Sequence, residues 1–148
     1  MTSNIQENAA AFDPAAHGWN PIRPGSDSGF TNLIGPFWSR SEATGWAYGF
    51  LAGPHHANGL GVIHGGMLMT FIDQSLGRLA WEAIGRAPCV TAGLNTHFIA
   101  GARPGDWVEA RGRVVRKTRS LVFMQGALTV NDASVLTAEG IWKILGQA

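Results

Sequence analysis

The sequence predicts a single α+β domain, an antiparallel sheet wrapped around one long helix, and three features carry that reading. Gly65 to Ile84 is a proline-free run that is apolar on nearly every side. Four segments after it alternate apolar and polar residues, and the connections between those segments are short. A helix that is apolar all round belongs inside something, whereas period-two alternation with one apolar face marks a half-buried antiparallel strand. A chain of 148 residues, 45% of them hydrophobic, is long enough for one real core and too short for two.

Residues 1–30 mix Asn, Ala, Pro, Gly and Ser without periodicity, so a mobile or loosely packed start is expected, then a loop or short helix laid on a body that occupies 31–148. Between Leu33 and Ala52 two strands joined by a turn near Ser41 fit the pattern, the second with Trp46, Tyr48 and Phe50 alternating with Gly45, Ala47 and Gly49. In the helix, Met67, Leu68, Phe71, Ile72, Leu76, Leu79 and Ala80 all demand burial, and GRAP then breaks it. The four later strands fall at about 89–99, 106–117, 120–131 and 134–145. Val108, Ala110, Gly112 and Val114 share one face against Glu109, Arg111 and Arg113; Val122, Met124, Gly126, Leu128 and Val130 share another. The turns GARPGD, KTRS and NDAS predict a meander in which neighbours pair. One helix cannot cover such a sheet, so an edge and part of a face are left for a second copy of the chain.

A net charge of +1 gives no global reason to expect nucleic acid or an anionic membrane as partner. No apolar run approaches the roughly 18 residues of a membrane span, and the start lacks a basic-then-apolar leader pattern, which predicts a cytoplasmic protein. The one cysteine, Cys89, excludes an internal disulfide, leaves no Cys cluster for zinc, and reads as a small buried hydrophobe. His55 and His56 are adjacent, so they are expected to point different ways, and no Asp, Glu or Cys stands at ligand spacing; neither a metal nor a cofactor is expected. His17 and His97 read as structural. Met67, Met69, Phe71, Trp81, Phe98, Phe123 and Met124 read mostly as core, with a few lining a pocket.

The chemistry concentrates between His55 and Gln74, HHANGLGVIHGGMLMTFIDQ. Gly65 and Gly66 open the helix, where the first N–H groups have no partner within the helix and the macrodipole is positive. That is the geometry of an oxyanion hole; an ordinary helix start, with glycine for tight packing, is the alternative. Asp73 has Met69, Thr70, Leu76 and Gly77 one turn away, none of them a base, so it faces water, bonds to another strand, or lines a working pocket. It stands eight residues beyond Gly65, roughly 12 Å along the helix. If both groups act on one carbon, one must come from a symmetry mate whose helix runs antiparallel alongside.

The block HANGLGVIHGG followed by MLMTFID resembles the hotdog-fold thioesterases of the phenylacetic-acid-pathway (PaaI-like) type, and the similarity runs from about Gly45 to the C-terminus. The resemblance implies an enzyme that hydrolyses acyl- or aryl-CoA thioesters, CoA being part of the substrate, in homodimers that often pair into homotetramers. It implies that Gly65 supplies the oxyanion N–H and that Asp73 of the partner subunit acts as general base or nucleophile. Asn58 would orient the water or the carboxylate, His64 would support the loop or the thioester, and Thr91 would hydrogen-bond to the water or the carboxylate. Arg111, Arg113, Arg116, Lys117 and Arg119 cluster within nine positions, and Arg116, Lys117 and Arg119 are candidates for the CoA phosphates. Two rivals share the fold: an acyl-thioester dehydratase or hydratase, for which the His and acidic pair is lacking, and a non-catalytic acyl-CoA binding or sensing module, which gains nothing from a carboxylate beside a thioester.

Overall fold

A computed structural model describes residues 11–23 and 29–146. The elements run β1 (Asn20–Pro21), α1 (Gly29–Ile34), β2 (Trp38–Glu42), β3 (Gly45–Leu51), α2 (Gly65–Ala83), β4 (Cys89–Phe98), β5 (Trp107–Lys117), β6 (Leu121–Val130) and β7 (Ala133–Ile144), with single 3₁₀ turns at Ala15–His17 and Pro54–His56. The seven strands make one antiparallel sheet in the order β1-β2-β3-β5-β6-β7-β4, and α2 packs across its inner face. Among the described residues no helix is long and apolar enough to cross a membrane.

The long helix and the strands after it lie where the hydrophobic alternation puts them. Before it, the turn expected near Ser41 falls at Ala43–Thr44, since Ser41 lies inside β2 and Leu33 and Ile34 belong to α1. The expected meander is corrected at its first strand. β4 pairs with β7, not with β5. The GARPGD segment is a crossing rather than a hairpin. The N–H of Ile99 binds Val135 O at 2.8 Å, Ile63 N–H binds Ala102 O at 2.8 Å, and Gly105 N–H binds Ala52 O at 2.8 Å. These bonds carry the chain from the start of β7 past the loop before α2 to the end of β3. Turn composition alone does not distinguish a short crossing from a hairpin.

α2 is also less uniformly buried than its composition suggests. Phe71, Ile72, Leu76 and Ala80 are sealed, while Met69, Thr70, Asp73, Gln74, Gly77 and Arg78 on the opposite side are only half-buried. The close approach on the sealed side depends on two glycines that face each other across β5 and β6. A methyl on Gly112 or on Gly126 would lie 2.4 or 2.6 Å from Leu76 Cδ2, so Leu76 sits in a notch that any other residue would fill. The face expected along β5 breaks at a bulge between Val114 and Arg116, and Val114 turns out to be exposed while Val108 and Ala110 join the core.

The outer face of β3 carries a second cluster of Trp19, Ala47 and Trp107, against which Phe12 packs. Trp107 lies flat over Gly49, where a methyl would come within 2.1 Å of Cζ2. Within the start expected to be mobile or loosely packed, Trp19 is 2% exposed and β1 pairs with β2, while Ala15–Gly18, Asn20 and Pro21 are exposed. Residues 1–10 and 24–28 of that start lie outside the described residues. Beside this cluster Glu42 receives Arg40 and Arg111, both at 2.7 Å, and the Arg111 guanidinium together with Arg40 holds its carboxyl down at about 2 against burial.

Candidate active site

α2 begins at a cap made by its own sequence. His64 has extended ψ (132°), and its Nδ1 accepts the Gly66 N–H at 2.8 Å. The cap takes Gly66, and the Gly65 N–H makes no hydrogen bond to a described residue. The Phe98 ring, expected in the core but 53% exposed, stands against Gly65, where a methyl would be 3.2 Å from it. The loop below is held by His56, whose Nδ1 accepts the Gly53 N–H at 3.0 Å while Nε2–H donates to Ile34 O at 2.7 Å. Burial pushes the His56 pKa below 6.5, so the ring is a neutral structural pin, and its carbonyl receives the His64 N–H at 2.8 Å. His55 does not point elsewhere: its ring lies 3.8 Å from that of His56, because Gly53 leaves room for it to fold back. Asn58 Oδ1 accepts from the N–H of Leu60 at 2.9 Å and of Val62 at 3.4 Å, so the side chain sets the turn and only its NH₂ is left for a ligand.

Asp73 finds its partner in another element. Thr91 Oγ1 donates to Asp73 Oδ1 at 2.7 Å, which leaves Oδ2 for a second contact. Thr91 reaches it from β4 immediately before a bulge at Ala92, a displacement that re-aims an edge strand. Directly across the ladder from Thr91 is Trp142, and the two border a hollow with Asp73, Gly77, Arg78 and Trp81. Helix neighbours alone offered Asp73 no partner; the strand that supplies one lies 18 residues on.

Within one chain the fold joins Asp73 to Thr91 and His64 to the helix start, but it does not bring the two groups together. Both lie on α2, roughly 12 Å apart by helix rise. Arg111 and Arg113 are committed elsewhere, Arg111 to Glu42 and Glu109, Arg113 to Gln125 at 2.7 Å. Arg116, Lys117 and Arg119 are exposed at the far end of β5, and Lys117 Nζ donates to Ala83 O at 3.3 Å, at the C-terminal end of α2. Cys89 packs at the edge of the core, and burial raises its thiol pKa. Sequence reasoning missed Trp142 beside Asp73, because finding it requires the β4–β7 pairing.

The comparisons with known proteins agree with this architecture. The family model for the thioesterase superfamily matches residues 60–136, from the loop before α2 into β7. The chain is similar to the Pseudomonas aeruginosa protein named "Putative esterase PA0474", 33% identical over 76% of this chain and 86% of that one. It is also similar to acyl-coenzyme A thioesterase 13 of Mus musculus, 29% identical over 57% of this chain and 61% of that one. In structure it resembles zebrafish thioesterase superfamily member 2, with a TM-score of 0.73, 22% identity, and coverage of 81% of this chain and 89% of that one. Seven antiparallel strands around one long helix, and a family match that spans both the capped start of that helix and Asp73, lead to one conclusion: the chain belongs to the thioesterase superfamily and has the hotdog fold.

Proposed function

We propose that the protein hydrolyses an acyl- or aryl-CoA thioester to the free acid and CoA, at two equivalent sites shared between the subunits of a homodimer. The observation that carries this reading is the split of the site: a free N–H at Gly65 and a hydrogen-bonded carboxylate at Asp73, two turns apart on one helix and unable to meet in one chain. β4 offers the means of joining them. Its outer edge pairs with no described strand, and Val90, Phe98 and Ile99 along it are exposed. Pairing of this edge with its two-fold mate would continue the sheet and lay the uncovered faces of two α2 helices side by side and antiparallel. Gly65 of one subunit then faces Asp73 of the other.

In that arrangement the thioester oxygen accepts from the Gly65 N–H, and charge that develops on it is stabilised by the positive end of α2. Asp73, held by Thr91 through one oxygen, uses the other either to take a proton from water as it attacks the carbonyl carbon or to attack that carbon itself. Collapse of the tetrahedral species breaks the C–S bond and releases CoA thiolate, which takes up the proton that water gave up. Where Asp73 itself attacks, the acyl group is left on it as an anhydride that water then hydrolyses to the free acid. Neither route uses a metal or redox cofactor. Asn58 serves through its NH₂ and the turn it sets, and His64 through the cap. Arg116, Lys117 and Arg119 bind CoA phosphates at the protein surface. The protein works in the cytoplasm, with pairing of dimers into tetramers as the fuller assembly.

The test is thiol release from short, medium, long and aryl CoA esters, with a substrate-free blank for Cys89. Asp73→Asn is expected to lower turnover by about 10²- to 10⁴-fold, the scale of losing a positioned acid–base group. Gly65→Pro removes the N–H at the first helical position, where proline is tolerated and where the ψ of His64 already suits it, and Gly65→Ala, which meets Phe98 in the same way but keeps the N–H, is its control; the same scale of loss is expected for proline alone. Mixing the two inactive variants and allowing subunits to exchange should restore about a quarter of wild-type turnover, since half the dimers then hold one intact site. No recovery in exchanged dimers overturns the shared site. Saturable binding of the esters with no turnover by the wild type overturns the hydrolase reading in favour of the binding module.

A further inference from the structure

Trp142 is 2% exposed, yet the small part of it that is open lies in the hollow beside Asp73. Its ring is held edge-on between two glycines. A methyl on Gly140, two residues back on β7, would come within 2.7 Å of Cζ3, and one on Gly77 of α2 would come within 3.0 Å of Nε1. The pyrrole edge is thereby aimed at the helix at Gly77, the one glycine of α2 beyond its first turn. Nε1–H makes no hydrogen bond to a described residue, and it is not sealed as the Nε1 of Trp107 is. Buried donors are ordinarily paired, so an indole N–H that opens on a pocket is a donor aimed at whatever fills the pocket. The hollow, about 370 Å³, holds one carboxylate, Asp73, engaged by Thr91 through one oxygen only; Gln74 Nε2 is spent on Thr31 Oγ1 at 2.9 Å, and Arg78 and Trp142 bring N–H donors. A group that meets the Trp142 N–H must bring an acceptor.

Resting on the thioesterase reading above, we infer that Trp142 is a substrate-positioning residue: its Nε1–H donates to an oxygen of the thioester substrate a few atoms from the reacting carbonyl, through the gap that Gly77 leaves in α2. Two parts of such a substrate carry an oxygen of this kind, an amide carbonyl of the pantetheine arm and a hydroxyl or oxo group on the acyl side. Trp142 fixes where the substrate lies relative to Asp73 and takes no part in bond making.

Two variants test this from opposite sides. Trp142→Phe keeps an aromatic ring in the slot and deletes the N–H. Gly77→Ala keeps the N–H and covers it; the gain in helix propensity works against the cost of its 3.0 Å contact with Nε1, and the melting temperature reads the balance. Assayed well below their melting temperatures, which the smaller ring and the added methyl lower, both are expected to reduce kcat/KM by about three- to tenfold, mainly through KM. If the acceptor is pantetheine, the loss appears on every CoA ester and disappears on esters of a simple alkyl thiol. If it is on the acyl group, the loss is confined to hydroxylated or oxo acyl esters. Unchanged kinetics for both variants on all esters overturn the inference, as does a loss that follows only the melting temperature. A non-hydrolysable acyl-CoA thioether, titrated by calorimetry, separates this inference from the reading beneath it. An inert wild type that still binds the thioether more tightly than both variants defeats hydrolysis and sustains Trp142, whereas equal affinity in all three, or no binding by the wild type, defeats Trp142.

Discussion

On the side of α2 that meets the sheet, Phe71, Ile72, Leu76 and Ala80 are closed off by β5, β6 and the aromatic cluster of Phe37 and Phe50. On the side turned away, Thr70, Asp73, Gln74, Gly77 and Arg78 are only half-buried; the Thr70 hydroxyl donates back to Gly66 O within the helix, while Gln74 reaches Thr31 and Asp73 accepts from Thr91 on neighbouring elements. The contrast teaches where stability and chemistry reside. Dense packing leaves no room for a ligand, so the helix keeps its stabilising contacts on one flank and presents its carboxylate on the other. A substitution should therefore change either the unfolding midpoint or the turnover, according to the flank it falls on.

The sharpest way to break that contrast is Asp73→Asn. The loss of turnover given above should come with an unfolding midpoint close to that of the wild type, since the side chain is half-exposed and keeps its shape; a large loss of stability in a denaturant titration would make Asp73 a structural residue. Leu76→Ala should do the opposite. It empties the notch between Gly112 and Gly126 and is expected to cost about 2–5 kcal/mol in urea unfolding, with turnover per folded molecule preserved. Gly49→Ala extends the comparison to the outer face: Trp107 must lift, at a cost of about 1–3 kcal/mol, and the change should be visible in tryptophan fluorescence without an effect on KM.

The smallest effect is set by pH. His56 has its pKa held below 6.5 in the folded protein by burial, so once the pH falls below that value the unfolded chain takes up the proton first. The stability it contributes is present above 6.5 and is lost as the pH drops through the folded value. Urea midpoints at about pH 7.5 and about pH 5 should differ more for the wild type than for His56→Gln. An equal difference in both proteins would mean that His56 is not the pin of the loop.

Much of this protein follows from local pattern. Period-two alternation specifies a strand because successive side chains take opposite faces, and the proline-free apolar run from Gly65 specifies a helix, so the elements from β3 to β7 are legible to within a residue or two. The glycines at the start of α2 and an acid two turns along it are legible for the same reason, as spacing on one helix. What the tertiary structure alone decided is who meets whom. The crossing from β4 to β5, which places β4 beside β7, depends on backbone bonds from Ile99, Ala102 and Gly105 to distant segments, and no local spacing encodes them. The same pairing gives Asp73 its Thr91, sets Trp142 directly across from Thr91, and leaves the β4 edge open. Hydrophobic period determines which face of an element is buried, but the partner across the gap is chosen by the packing of the whole sheet against α2.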